Sequence, residues 1–214
     1  MYSILNAQDW AQLSHFEAAN KELVDAKTNE NRVVFMGNSI TIGWSYHQPE
    51  FFEGKPYVNR GISGQTTPQM LVRFRQDVID LKPKVVVILA GTNDIAGNTG
   101  PSTLQMIADN LMSMSELAEA NGIKVVLCSV LPAYEYPWRK GLMPNEKIPA
   151  LNNMIKNYTS SKGFVYLDYF SAMNDGNNGL KGDLGSDGVH PNKKGYEQMA
   201  PLAEKAIADA LGRQ

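Results

Sequence analysis

A serine closes Gly37-Asn38-Ser39 directly after the apolar run Val33-Val34-Phe35-Met36, and far downstream Asp187-Gly188-Val189-His190-Pro191 sets an aspartate three positions before a histidine. A serine hydroxyl is a weak nucleophile until a base takes its proton and an acid orients that base. Small turn-forming residues at the end of a strand hold such a hydroxyl rigidly and leave it open to substrate. The base can be sought by elimination, because the chain has 3 histidines. His15 falls on the polar side of an N-terminal helical pattern and reads as a solvated residue. His47 reads as a loop histidine on the surface. His190 differs, because an aspartate in the same tight loop can reach its Nδ1 and leave Nε2 free to accept a proton. Alone, Asp-x-x-His is a surface turn or a helix cap. Beside a glycine-flanked serine, Asp187 and His190 read as orienter and base for Ser39.

Two other stretches offer donors for the negative charge that develops on an acyl oxygen. Gly61-Ile62-Ser63-Gly64-Gln65-Thr66 and Gly91-Thr92-Asn93-Asp94 each follow a strand-like run. A glycine lets its backbone N–H approach a substrate with no Cβ in the way, and an asparagine amide is a neutral, directional donor. Each stretch also reads as an ordinary turn. No Gly-Lys-Ser/Thr follows the glycines, which disfavours a phosphate loop. Asp94 reads as a turn-former or as a supporting partner behind the site, and carries no catalytic role. A zinc site on Asp187 and His190 would need further ligands, and no cysteine pair or close histidine pair completes it.

Composition narrows the classes. Lys plus Arg number 20 against 22 for Asp plus Glu, a formal net charge of −2, so there is no electrostatic case for nucleic acid. The single cysteine, Cys128, follows Val125-Val126-Leu127 and reads as a buried strand residue with no partner for an internal disulfide. No run is long enough to span a membrane. Met1 to Trp10 has neither the basic start nor the apolar stretch of a signal peptide. A cytoplasmic protein and a secreted or periplasmic one without its leader would read alike, so the compartment stays open, as does the oligomeric state.

The elements that must bring these residues together alternate. Strand-like runs cover Arg32 to Met36, Tyr57 to Arg60, Lys84 to Ala90, Lys124 to Val130 and Phe164 to Asp168. Their continuous apolar character suits parallel strands covered on both faces. A stripe of Trp10, Leu13, Phe16, Ala19, Leu23 and Ala26 predicts a helix over about 8–28 ahead of the first strand. Thr67-Pro68 reads as an N-cap with proline at the first helical position, before Leu71, Phe74, Val78 and Leu81. Ser102 and Gln105 have capping-box spacing before Leu104, Ile107, Ala108, Leu111 and Met114, with a stop at Asn121-Gly122. Two more helices are expected over Glu146 to Ser160 and Asn192 to Leu211, with Pro201 as a kink. Tyr134 to Pro144 reads as an irregular, substrate-facing loop. The alternation predicts one domain over residues 1–214, a three-layer α/β/α sandwich around a parallel sheet of about five strands. Ligands of such sheets bind beyond the carboxyl ends of the strands, where Ser39 and Gly91-Thr92-Asn93-Asp94 both lie.

In order and spacing, Gly37-Asn38-Ser39-Ile40, Gly61-Ile62-Ser63-Gly64-Gln65-Thr66, Gly91-Thr92-Asn93-Asp94 and Asp187-Gly188-Val189-His190-Pro191 resemble the four blocks of the SGNH/GDSL hydrolases. Asn59-Arg60-Gly61-Ile62-Ser63-Gly64 is most similar to the branch with platelet-activating-factor acetylhydrolase-type enzymes and bacterial carbohydrate acetylesterases. The resemblance implies a flavodoxin-like sheet, no metal or organic cofactor, and Ser39 as nucleophile. It further implies His190 as base, Asp187 as orienter, and an oxyanion hole of the Ser39 and Gly64 backbone N–H groups with the Asn93 side chain. One departure is Asn38, which stands where the first block usually has aspartate.

The expected reaction is hydrolysis of a small-molecule or glycan ester, with a short acyl group, acetyl by resemblance. Trp44, Tyr46, Tyr134, Tyr136 and Trp138 supply aromatic surface near the active edge for stacking on sugar faces, with ordinary packing as the competing reading. The rivals are a lysophospholipase or thioesterase, a carbohydrate-binding protein on the same fold without catalysis, and a flavodoxin-like nucleotide binder.

Overall fold

The computed structural model describes residues 9–25 and 31–212. Five parallel strands form one sheet: β1 (Val33–Gly37), β2 (Tyr57–Gly61), β3 (Val85–Leu89), β4 (Lys124–Cys128) and β5 (Val165–Leu167), in the order β2-β1-β3-β4-β5. That order is the flavodoxin-like one. The helices are α1 (Glu17–Asp25), α2 (Ser39–His47), α3 (Thr67–Asp77), α4 (Thr92–Ile95), α5 (Leu104–Ala120), α6 (Pro144–Lys162), α7 (Tyr169–Met173) and α8 (Lys193–Gly212). Among the described residues no helix is long and apolar enough to cross a membrane.

Side chains alternate across a strand, so each strand feeds two cores. Val34, Met36, Val86, Ile88, Val125 and Leu127 pack with Met70, Phe74, Ile107, Leu111, Ile148 and Leu151 of α3, α5 and α6. Val33, Phe35, Val85, Val87, Val126 and Cys128 pack with Ile40, Trp44, Tyr196, Met199 and Ala203 of α2 and α8. Helices thus cover both faces, and the three-layer expectation holds. Cys128 is buried and free, as its apolar run implied.

Several local readings need correction. The N-terminal pattern forms α1 only from Glu17; residues ahead of it turn, and His15 lies in a turn rather than a helix. Trp10 and Leu13 of the expected stripe are exposed, while Ala11 and Asn20 are buried instead; Ala26 lies outside the described residues. Asn20 docks this segment by polar contacts, donating from Nδ2 to Asp77 Oδ1 at 2.6 Å and accepting from Arg60 Nε at 2.9 Å. The N-cap of α3 is Thr66, one residue earlier than expected, and the Gln69 side chain accepts the Thr66 backbone N–H at 3.1 Å. The buried face of α3 is Met70, Arg73, Phe74 and Asp77, a rotation away from Leu71. Thr103, not Ser102, caps α5 by accepting the Met106 N–H at 3.1 Å, and Gln105 pairs with Asp109 instead. His47 is the last residue of α2 and stacks on Tyr196 with centroids 5.4 Å apart, so it belongs to a helix end and not to a loop.

Candidate active site

Register places the site. Gly37 at the end of β1 pairs with Gly61 at the end of β2 and with Leu89 at the end of β3. Ser39, Gly64 and Asn93 follow these three ends within a few residues, so adjacent strands deliver them at one level of the sheet. Ser39 opens α2 rather than a loop, with Asn38 as the N-cap whose Oδ1 accepts the Ile40 N–H at 3.0 Å. A helix start with unpaired N–H groups and a positive end of its dipole favours negative charge beside Ser39.

The second block is tied to the first. The Ile62 N–H donates to the Gly37 carbonyl at 3.1 Å. Asn59 donates from Nδ2 to the Thr41 carbonyl at 2.7 Å and accepts the Gly61 N–H on Oδ1 at 2.9 Å. Gly64 is exposed at φ +77, the left-handed region that a side chain disfavours. Asn93 is buried and donates from Nδ2 to the Gln65 carbonyl at 2.9 Å. That bond fixes the plane of the amide and leaves its second N–H for another acceptor. The Ser39 and Gly64 N–H groups have no protein acceptor among the described residues.

The fourth block comes from the loop before α8. That loop is pinned by the Gly185–Pro191 bridge and by the Asn192 N–H on the Leu184 carbonyl at 2.9 Å. Tyr196 of α8 then reaches across the core and donates to the Ile40 carbonyl of α2 at 2.8 Å. A Cβ at Gly43 would collide with that Tyr196 hydroxyl, so α2 carries a glycine where α8 crosses it. Through this contact Ser39 and His190 are brought together: Ser39 Oγ lies 3.0 Å from His190 Nε2. On the far side of the ring, Nδ1 lies 2.7 Å from Asp187 Oδ2. Asp187 Oδ1 accepts the backbone N–H groups of Val189 at 2.9 Å and of His190 at 2.7 Å. A carboxylate at Nδ1 fixes the tautomer in which Nε2 accepts a proton. Partial burial pushes the Asp187 carboxyl up, but the hydrogen bonds from His190 and Val189 outweigh it and hold the group below its ordinary 3.8.

Asp94 lies beneath the site. It accepts the Thr67 N–H at 3.0 Å and the Thr67 hydroxyl at 2.6 Å, and burial pushes its carboxyl up to about 6 despite those bonds. Its place is in joining the third block to α3. Of the five aromatics expected at the edge, Trp44 and Tyr136 are core residues at 2% and 0% exposure, closed to any sugar. Tyr46, Tyr134 and Trp138 are exposed, and the Trp138 ring sits 5.9 Å from that of His190. No group of three or more His, Cys, Asp or Glu side chains among the described residues could hold a metal ion. Cavities of about 320 and 510 Å³ open instead near Lys124 and Lys84, at the amino ends of the strands. They lie at the opposite edge of the sheet from Ser39, Asn93 and His190.

Sequence reasoning missed Arg73. Fully buried, it donates from Nη2 to the carbonyls of Gly37 at 3.1 Å and Arg60 at 2.9 Å, from Nε to Gln65 Oε1 at 2.6 Å, and pairs with Asp77 at 2.9 Å. It therefore ties together the ends of β1 and β2 and the loop that holds Asn93. Its signal was available: Arg73 and Asp77 sit three and seven positions after Met70, on the apolar face of a helix.

This geometry has counterparts in known proteins. The sequence profile of the GDSL-like lipase/acylhydrolase family matches residues 35–198. The chain is 45% identical to a crystal structure of a GDSL-like lipase from Bacteroides thetaiotaomicron, covering 94% of this chain and 98% of that one with a TM-score of 0.90. It is 28% identical to an acetylxylan esterase of Xylanibacter ruminicola over 225 residues, which covers 87% of this chain and 45% of that protein. It is 27% identical to the platelet-activating factor acetylhydrolase IB subunit alpha2 of Homo sapiens, covering 70% of this chain and 68% of that subunit. The chain thus spans about half the length of the acetylxylan esterase it matches.

Proposed function

Because the chain belongs to the GDSL-like lipase/acylhydrolase family, we propose that it is a serine ester hydrolase that removes short acyl groups, acetyl foremost, from a carbohydrate. The observation that carries this reading is the unbroken line from Ser39 Oγ to His190 Nε2 at 3.0 Å and from His190 Nδ1 to Asp187 at 2.7 Å. A binding protein has no use for a base held against a serine.

In the proposed reaction His190 takes the Ser39 proton as Oγ attacks the ester carbonyl. Charge moves onto the carbonyl oxygen, where the Ser39 and Gly64 N–H groups and the Asn93 amide receive it. His190 then gives its proton to the leaving alcohol. A water activated by the same ring attacks the acyl-enzyme, the acid departs, and Ser39 recovers its proton. Asp187 remains a carboxylate throughout and holds the imidazolium that forms at each step. Acetyl and sugar are supported by the likeness to an acetylxylan esterase.

Acetate release from a panel of acetylated glycans, with Ser39→Ala as control, tests the function. Release by the wild type and none by the variant is expected. A fluorophosphonate should label the wild type and leave Ser39→Ala unlabelled, and labelling that persists would mean that another serine reacts.

A further inference from the structure

We propose that the Trp138 indole forms the subsite for the alcohol half of the ester, and that this alcohol is a pyranose ring. The inference rests on the ester-hydrolase reading and extends it from the reacting atoms to the group that leaves.

Position comes first. The Trp138 and His190 rings lie 5.9 Å apart and inclined at 33°. His190 is the group that returns a proton to the leaving oxygen, so a surface beside its ring flanks the alcohol. The acyl oxygen lies with Gly64 and Asn93, on donors that come from other strand ends. Whatever Trp138 selects, it selects in the alcohol.

The indole is also held in advance of any ligand. It stacks on Tyr136 at 5.5 Å and 24°. Tyr136 is fully buried, donates to the Thr92 carbonyl at 3.0 Å, and accepts from the Thr92 hydroxyl at 2.8 Å. On the other side Arg139 Nη1 donates to the carbonyls of Ala96 at 2.7 Å and Gly97 at 2.8 Å. Both neighbours of Trp138 are thereby fastened to the segment that carries Asn93. A ring stacked on a buried neighbour, with the next residue anchored, loses little freedom when a ligand lands on it.

Exposure then bears on the ligand. Trp138 keeps 51% of its surface open although its neighbour in the stack has none. A flat π-face binds the flat C–H face of a sugar, while the hydroxyl groups around that ring stay in water. An aromatic or alkyl alcohol would gain most from an enclosed slot, and this platform is open.

The test keeps the acyl group constant and changes the alcohol. Values of kcat/KM are measured for wild type, Trp138→Ala and Trp138→Phe on monoacetylated methyl β-xyloside, ethyl acetate and 2-naphthyl acetate. Trp138→Ala should lower the ratio of xyloside to ethyl acetate by about 10-fold, chiefly through KM, and Trp138→Phe should restore most of it. Equal losses on all three esters would overturn the proposal, because the indole would then support His190 and not the alcohol. A loss confined to naphthyl acetate would overturn it in favour of an aromatic alcohol. Wild type that cleaves ethyl acetate with no preference for the sugar ester would remove the subsite and leave the hydrolase standing. Wild type that cleaves none of them and resists fluorophosphonate would remove the hydrolase itself.

Discussion

The Ser39 hydroxyl and the His190 ring are separated by 151 positions in the chain and by 3.0 Å in space. The relay continues to Asp187, whose two oxygens divide their work: one faces the ring and one closes the loop on the Val189 and His190 N–H groups. Asp187→Asn keeps the size but can present an N–H to Nδ1, which favours the tautomer that cannot take the serine proton. The expected loss in kcat on p-nitrophenyl acetate is on the order of 10³- to 10⁴-fold. Near-ultraviolet circular dichroism should stay close to wild type. A variant with wild-type kcat would show that His190 needs no orienter.

Asn93 is the one side chain among the three proposed oxyanion donors. Its Nδ2 already gives one hydrogen to the Gln65 carbonyl at 2.9 Å, which aims the other. Asn93→Ala should cost about 3 kcal/mol of transition-state stabilisation, or roughly 100-fold in kcat. KM should move far less, because the charge that Asn93 receives is absent from the ground state. Substrate saturation curves separate the two, and a loss confined to KM would place Asn93 in substrate binding alone.

What could be read from the chain divides along the range of the contacts. Val33–Gly37 and Val85–Leu89 are covered on both faces, so their apolar runs are continuous and visible. The four blocks were legible because each is a local turn with its own residue types, and parallel register brings three of their strand ends level. Arg73 was missed because a helix stripe ranks residues by hydrophobicity, and here a buried arginine satisfies carbonyls at two strand ends. The link from Tyr196 to Ile40 spans 156 positions and leaves no local pattern. Trp44, Tyr136 and Trp138 are alike in sequence, and only tertiary packing makes the first two core and the third surface.

Asp94 makes stability depend on pH in a defined window. Burial raises its carboxyl from 3.8 to about 6. A folded-state value above the unfolded one means that the protonated form favours folding. The contribution is full below about pH 4 and is lost as pH rises to about 6, roughly 3 kcal/mol in all. Asp187 works in the opposite sense and lower, because its carboxyl is held below 3.8 and its contribution is lost only as pH falls through that range. Urea unfolding of wild type and Asp94→Asn at pH 4 and pH 7 checks this. The variant should lack the Asp94 decline, whatever constant offset follows from its altered bond to Thr67. Parallel profiles for the two proteins would show that Asp94 does not titrate in that window.

Asn38 stands where the related first block carries aspartate, and its bond to the Ile40 N–H is one that a carboxylate makes equally well. Asn38→Asp should therefore keep the helix cap, with a lower melting temperature because the position is buried and a carboxylate loses water there. What changes is charge: a carboxylate next to Ser39 opposes the developing oxyanion and favours the imidazolium of His190. The first effect lowers the plateau of kcat/KM, by less than about 10-fold because the hydrogen-bond donors remain. The second favours the protonated, inactive form of the base, so the rising limb of the kcat/KM profile should move to higher pH. A pH series on p-nitrophenyl acetate for the two proteins measures both. Superimposable profiles would show that the side chain at position 38 acts only as a cap, with no electrostatic reach to the base.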